Sequence, residues 1–264
     1  MPLGDFEREV LRLLAANRHP DSFVGGATVL HQSASSPRIS KDMDYFHDTA
    51  ESVAASVARD VSTLRTAGYE VELERSHYTF QRASVQRAGR HTKIEWVFDS
   101  AFQFFPVERD LELGWRLSFW DAATNKVLAF AGRSELRDLL DVVYLHEQHL
   151  HLGALAWAAA GKDPGMTPEA IIQWARRNAV YRHEDLQDLQ LASPVTLPEL
   201  KGRWMEASQS ALELIAKLPV SELGCLYLNA AGKPVCPDPL ALEFPKLARH
   251  FGSVKGACPR IAES

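Results

Sequence analysis

Cysteine is scarce in this chain: three residues, Cys225, Cys236 and Cys258, with no Cys-x-x-Cys pair among them. An odd count, behind an N-terminus that does not read as a signal peptide, predicts a reducing, cytoplasmic setting and no disulfide framework. Residues 1–20 intersperse acids with arginine along a short apolar stripe. A zinc set could be drawn from the three thiols and His250, but the spacing is not that of a zinc site, so ordinary free thiols and no zinc are expected. Long apolar runs are missing too. None approaches the ~20 residues a membrane helix needs, which predicts no membrane span. An excess of positive charge is absent: the net charge is −5. The molecule as a whole is therefore not an electrostatic nucleic-acid binder, and an RNA partner would need a local basic patch. Repeats and low-complexity segments are lacking as well. What remains is 264 residues, 46% of them apolar, enough for one large domain or a domain with a helical extension.

Apolar periodicity divides the chain. Phe6, Val10, Leu11, Leu13 and Leu14 recur at helical spacing within residues 4–17. Asp48 and Glu51 give a capping signal for a helix carrying Val53, Val57, Val61 and Leu64, closed by Gly68. From Tyr69 the period changes to two, through Tyr69–Arg75, Tyr78–Val85 and Thr92–Phe98, with a turn at Ala88-Gly89. Leu111–Trp120 reads as a further strand or strand-loop. Helix followed by a strand meander predicts an α+β arrangement to about residue 120. Beyond it the signals are helical. Asp121 is a candidate cap for a helix through Ala131, and a long helix is expected from Ser134 to about Ala160. Thr167-Pro168-Glu169 starts another. Leu197-Pro198-Glu199 starts the last, to about Leu218. This divides the chain into 1–120, an α+β domain, 121–218, a helical domain, and 219–264, an irregular extension with a possible hairpin over Leu226–Val235.

The segment with the most chemistry runs from Phe23 to Asp48. Gly25 and Gly26 open a candidate helix over Ala27–Gln32, where backbone N–H groups without a neighbouring Cβ can approach an anion. Asp42 and Asp44 follow at alternate positions. On a strand over Lys41–Phe46 they share a face about 6.5–7 Å apart, with Met43 and Tyr45 turned to the core. Alone, a glycine pair is a turn and Asp-x-Asp a solvated strand edge. In this order they read as a phosphate cradle beside a carboxylate pair that can hold hard divalent cations, the apparatus of nucleotidyl transfer.

Gly25-Gly26 followed by Arg38-Ile-Ser-Lys-Asp42-Met-Asp44-Tyr-Phe46 resembles the first motif of the nucleotidyltransferase superfamily, and most closely the AbiEii/AbiGii-type toxins. The Lys126…Arg137-Asp138-Leu-Leu-Asp141 segment resembles the later motif of the same toxins. The likeness covers roughly residues 20–150, and more loosely to 178. It implies an N-terminal polymerase-β-like nucleotidyltransferase domain with a mixed sheet, followed by a C-terminal helical domain. It implies an NTP substrate with Mg2+ or Mn2+ held by Asp42 and Asp44. Arg38, Ser40 and Lys41 would help bind the triphosphate, though Ser40 and Lys41 could equally be turn residues. Lys126 would reach the phosphates as a mobile point charge, and Asp138 would orient it or act near the acceptor. Without the resemblance, Arg137 with Asp141 is an ordinary ion pair along a helix.

A third carboxylate often stands beside the pair in such folds. Glu95, between Ile94 and Trp96, is the candidate, with Asp99 as the fallback; a solvated edge-strand face is the plainer alternative. His146, His149 and His151 do not share a helix face well and read as surface histidines. Arg75, Arg82, Arg87, Arg90 and Lys93 make the meander locally basic, the best place for an RNA backbone. The expected function is metal-dependent transfer of an NMP to a tRNA 3′ end or a protein, by the toxin of a toxin–antitoxin pair. A catalytically silent module of the same fold would have lost one of the paired acids. A small-molecule modifier would need a defined acceptor cavity.

Overall fold

The computed structural model describes residues 3–33, 36–39 and 42–259. In chain order the first elements are α1 (Asp5–Leu14), β1 (Ser22–Val24), α2 (Gly26–Leu30), β2 (Asp42–His47), α3 (Ala50–Thr66), β3 (Glu70–His77), β4 (Phe80–Arg87) and β5 (Arg90–Phe98). They continue with β6 (Phe102–Gln103), β7 (Glu108–Asp110), β8 (Gly114–Arg116), α4 (Phe119–Gly132), α5 (Leu136–Gln148) and α6 (Leu152–Ala159). The last are α7 (Pro168–Asn178), α8 (His183–Gln187), α9 (Leu197–Ile215), β9 (Cys225–Leu228), β10 (Ala248–Phe251) and β11 (Ser253–Val254). The chain forms two compact units, one of Met1–Ala101 with Pro106–Ala122, the other of Phe102–Phe105 with Ala123–Ser264.

The first unit is α+β, built on a seven-stranded sheet in the order β3-β4-β5-β2-β1-β8-β7. The sheet is mixed: β2 runs parallel to β5 and β1 to β8, and the other pairs are antiparallel. Strict alternation decides its faces. Met43, Tyr45, Ile94, Trp96, Ala83 and Val85 are all at most 1% exposed and form the core face. Val53, Val57, Val61 and Leu64 of α3 and Phe6, Val10, Leu11 and Leu14 of α1 are buried in the same unit. Thr49, not Asp48, caps α3, because its hydroxyl accepts the Ser52 N–H at 3.2 Å. The meander closes through a turn in which Ala88 and Gly89 both have positive φ, 52° and 76°. The strand expected over Leu111–Trp120 is only the short β8. Ser118 and Asp121 then bond reciprocally and start α4 earlier than Asp121 alone suggests.

The second unit holds α5, α6, α7 and α9, with two pairs of short strands, β9 with β10 and β6 with β11. Thr167 and Thr196 cap α7 and α9 behind their prolines, the latter in a full capping box with Glu199. The helix expected to run unbroken to Ala160 is two helices. His146 Nδ1 accepts the Leu152 N–H at 3.0 Å and His151 Nδ1 accepts that of Gly153 at 3.1 Å. The two imidazoles, 4.9 Å apart, thus cap α6 rather than decorate a surface. Leu226–Val235 folds back on itself as expected, with an antiparallel bridge of Leu228 to Pro234 and the Val235 N–H on the Tyr227 carbonyl at 2.9 Å, while β9 also pairs with β10. No helix among the described residues is long and apolar enough to cross a membrane.

Candidate active site

One strand positions the first-motif acids. Along β2, Asp42, Asp44 and Phe46 are half-buried while Met43, Tyr45 and His47 are buried, so the two aspartates share the face opposite the core. The register adds a third acid. Asp44 pairs with Glu95 on the parallel neighbour β5, about one strand spacing (about 4.8 Å) away and on the same face.

The glycine pair is dictated by this face. A Cβ on Gly26 would lie 2.0 Å from Asp44 Oδ2, and one on Gly25 would lie 2.3 Å from the Phe46 ring. Gly26 also has φ +60°, which a side chain would strain. Backbone at the start of α2 therefore runs directly against the Asp44 carboxylate, and Thr28 ties the helix to the Asp42 carbonyl at 3.2 Å. One detail differs from the anion cradle expected from sequence. The Gly25 N–H is spent on the Asp44 carbonyl at 2.9 Å, which leaves anion contact to the first turn of α2, a helix of five residues without a side-chain cap.

Behind the strand lies a buried charge cluster that nothing in the sequence marked. The Arg18 guanidinium and the Asp60 carboxylate pair with no solvent exposure on either side. Asp60 also accepts from Trp96 Nε1 at 2.7 Å and Asn17 Nδ2 at 2.8 Å, while Arg18 donates to Ser22 at 2.9 Å and lies over the Tyr45 ring. His47 closes the chain, 3.1 Å from the Ser22 hydroxyl. Burial, with the Arg18 charge beside it, pushes the His47 imidazole down to about 4.

Glu95 is not idle on the open face. Both Arg82 Nε, at 2.8 Å, and Arg82 Nη2 donate to its Oε1. Asp99, the fallback acid, lies past the end of β5, with its N–H on the His47 carbonyl at 3.1 Å. Arg38 is 5% exposed, and Ser40 and Lys41 lie outside the described residues. The meander is less basic than its sequence implies. Arg87 and Arg90 pair with Glu9, Lys93 with Glu74 and Arg82 with Glu95.

The later motif forms its own cluster in the second unit. Lys126 Nζ lies 2.7 Å from Asp138 and 3.0 Å from Asp141, both carboxylates fully buried and the lysine 7% exposed. Arg133 adds bonds of 2.7 and 3.2 Å to Asp138. Burial raises the Asp138 carboxyl, but the Lys126 and Arg133 charges and hydrogen bonds outweigh it and hold it below the usual range. Lys126 is thus a clamped charge, not a mobile one. Asp141 pairs with the lysine, and Arg137 lies 3.8 Å from Glu135. Among the described residues no group of three or more His, Cys, Asp or Glu is placed to hold a metal ion. Cys225 is buried, Cys236 and Cys258 are exposed, and His250 Nε2 is 2.7 Å from the Phe104 carbonyl.

A family model described as nucleotidyl transferase AbiEii toxin, type IV TA system, matches residues 11–209. No curated protein matches the sequence. Among solved structures the fold resembles JHP933 from Helicobacter pylori, at 19% identity and TM-score 0.51, over 80% of this chain and 90% of that one. It also resembles MenT4, a nucleotidyltransferase toxin from Mycobacterium tuberculosis, at 16% identity and TM-score 0.56, over 82% and 83%.

Proposed function

Because the chain belongs to the nucleotidyl transferase AbiEii toxin family of type IV toxin–antitoxin systems, and is a nucleotidyltransferase, we propose that it moves an NMP from an NTP to a hydroxyl on a macromolecular acceptor, a tRNA 3′ end or a protein, by attack on the α-phosphorus with pyrophosphate leaving. The observation that carries this reading is the shared face of Asp42 and Asp44, with Gly26 packed so closely on Asp44 that no side chain fits there. The donor set suits the metal: carboxylate oxygens at alternate positions on one strand face, in a cradle that a Cβ would fill, fit Mg2+ or Mn2+. When bound, such an ion would neutralise triphosphate charge and acidify the acceptor hydroxyl.

The chain's own residues do the rest. Asp42 and Asp44 would hold the metal–nucleotide in one place, and the first turn of α2 would present its N–H groups to the phosphates. Glu95, beside Asp44, is the residue to accept the proton of the attacking hydroxyl. Lys126, which the family resemblance would take to the phosphates, is held by Asp138 and Asp141 within the second unit. The family implies an antitoxin partner, and a cytoplasmic location fits it.

The test is incubation with each α-labelled NTP, magnesium and total cell RNA or lysate, using wild type, Asp42→Ala and Asp44→Ala. The expected result is label on RNA or on protein, lost in both variants. Label that persists in the variants, or none with any NTP, contradicts the reading.

A further inference from the structure

We propose that Arg82 is a positioning residue for the transfer reaction, anchoring Glu95 by one carboxylate oxygen so that the other stays available beside Asp44; this rests on the function proposed above. The register sets the row. Arg82 on β4 pairs across the antiparallel ladder with Glu95 on β5, and Glu95 pairs across the parallel ladder with Asp44 on β2. A cation, a carboxylate and a second carboxylate therefore stand side by side on one face. Left alone, Asp44 and Glu95 would repel one another at this spacing, and Glu95 would turn away to solvent.

Arg82 prevents that by the manner of its contact. Its Nε and Nη2 converge on Oε1 rather than bridging both oxygens. Among the described residues no hydrogen bond reaches Glu95 Oε2. Both side chains keep partial access to solvent, 26% and 21%, so the pair is neither sealed in the core nor loose on the surface. Carboxylates that serve metals or accept protons are commonly oriented by such an outer partner, and its removal typically costs about 10–100-fold in metal affinity or activity. The guanidinium suits the task, since its planar fork fixes the carboxylate plane where an ammonium would not.

The competing role is a plain cross-strand ion pair, which would affect stability alone. Four full-length variants separate the two: Arg82→Gln, Arg82→Lys, Glu95→Gln and the Arg82→Gln/Glu95→Gln double. The readouts are Mn2+ affinity without nucleotide, by electron paramagnetic resonance, and the kcat and KM of label transfer from NTP. Positioning predicts that Arg82→Gln lowers kcat about 10-fold or more, with Mn2+ affinity and KM for NTP changing less. Arg82→Lys, which keeps the charge and so the fold, recovers part of the loss. The double variant is no worse than Glu95→Gln alone. Wild-type kcat in Arg82→Gln or in Glu95→Gln, or losses that multiply in the double, overturns the proposal. Failure of the parent reading registers separately, as Asp44→Asn keeping wild-type Mn2+ affinity, and takes this proposal with it.

Discussion

The two faces of β2 use the same chemistry to opposite ends. One residue step separates Asp44 from Tyr45, yet the inner face seals its charges from solvent and the outer face keeps its carboxylates half-buried. Behind the strand, Asp60 is met by Arg18, Trp96 and Asn17, and no solvent reaches the pair. In front of it, Asp42 and Asp44 are half-buried beside a glycine that excludes any side chain. A buried carboxylate with every partner supplied by the protein specifies structure; removing one partner strands a charge in low dielectric. Burial of an acid therefore says little about function until its partners are named.

That contrast can be broken from either side. The largest expected effect is on the open face. Asp44→Asn should lower label transfer by about 10³-fold or more, since the charge that holds the metal is gone, while the melting temperature stays the same or rises. Coupled loss of both would place Asp44 with the structural acids. The inner face should respond the other way. Asp60→Ala leaves Arg18 buried without its counterion and should cost roughly 3–5 kcal/mol in urea unfolding, with residual transfer tracking only the folded fraction.

Gly26→Ala sits between the two. Its Cβ meets Asp44 Oδ2 and its φ of +60° is strained, so a stability loss of about 1 kcal/mol should come with a disproportionate loss of transfer. A loss of activity no larger than the folded fraction explains would break the link between glycine and aspartate. The buried face also carries a pH dependence. The folded value of His47, about 4, lies below its unfolded value near 6.5, so the unfolded chain protonates first. Its contribution is intact above about pH 6.5 and falls as pH drops toward 4, by up to roughly 3 kcal/mol. His151, also pushed down to about 4 by burial and by His146, adds a loss in the same window. Melting curves of His47→Gln between pH 7.5 and 4.5 should be flatter than those of wild type.

Local patterns carried the elements that depend on nearby residues. The α3 stripe, the prolines opening α7 and α9 and the alternation of β3–β5 were legible because burial there follows a fixed period. So was the shared face of Asp42 and Asp44, which follows from alternation once the segment is a strand. The pairing of Asp44 with Glu95 was less so, because a parallel register depends on a crossover and not on either strand alone. Arg18 and Asp60 carry no mark at all: they are 42 residues apart, and neither lies in a motif. The break between α5 and α6 was invisible for a different reason. Apolar spacing runs through it unbroken, and only the capping by His146 and His151 ends one helix and starts the next. Finally, the meander's arginines read as basic because their carboxylates, Glu9 above all, lie far away in sequence.

The central claim is that the open face of β2 binds a divalent ion for the nucleotide. A crystal structure with Mn2+ and a non-hydrolysable NTP, with anomalous scattering recorded at the manganese edge, tests it most directly. The account predicts an anomalous peak within bonding distance of both Asp42 and Asp44, with the triphosphate against the first turn of α2. A peak elsewhere, or a nucleotide bound away from that face, would contradict it.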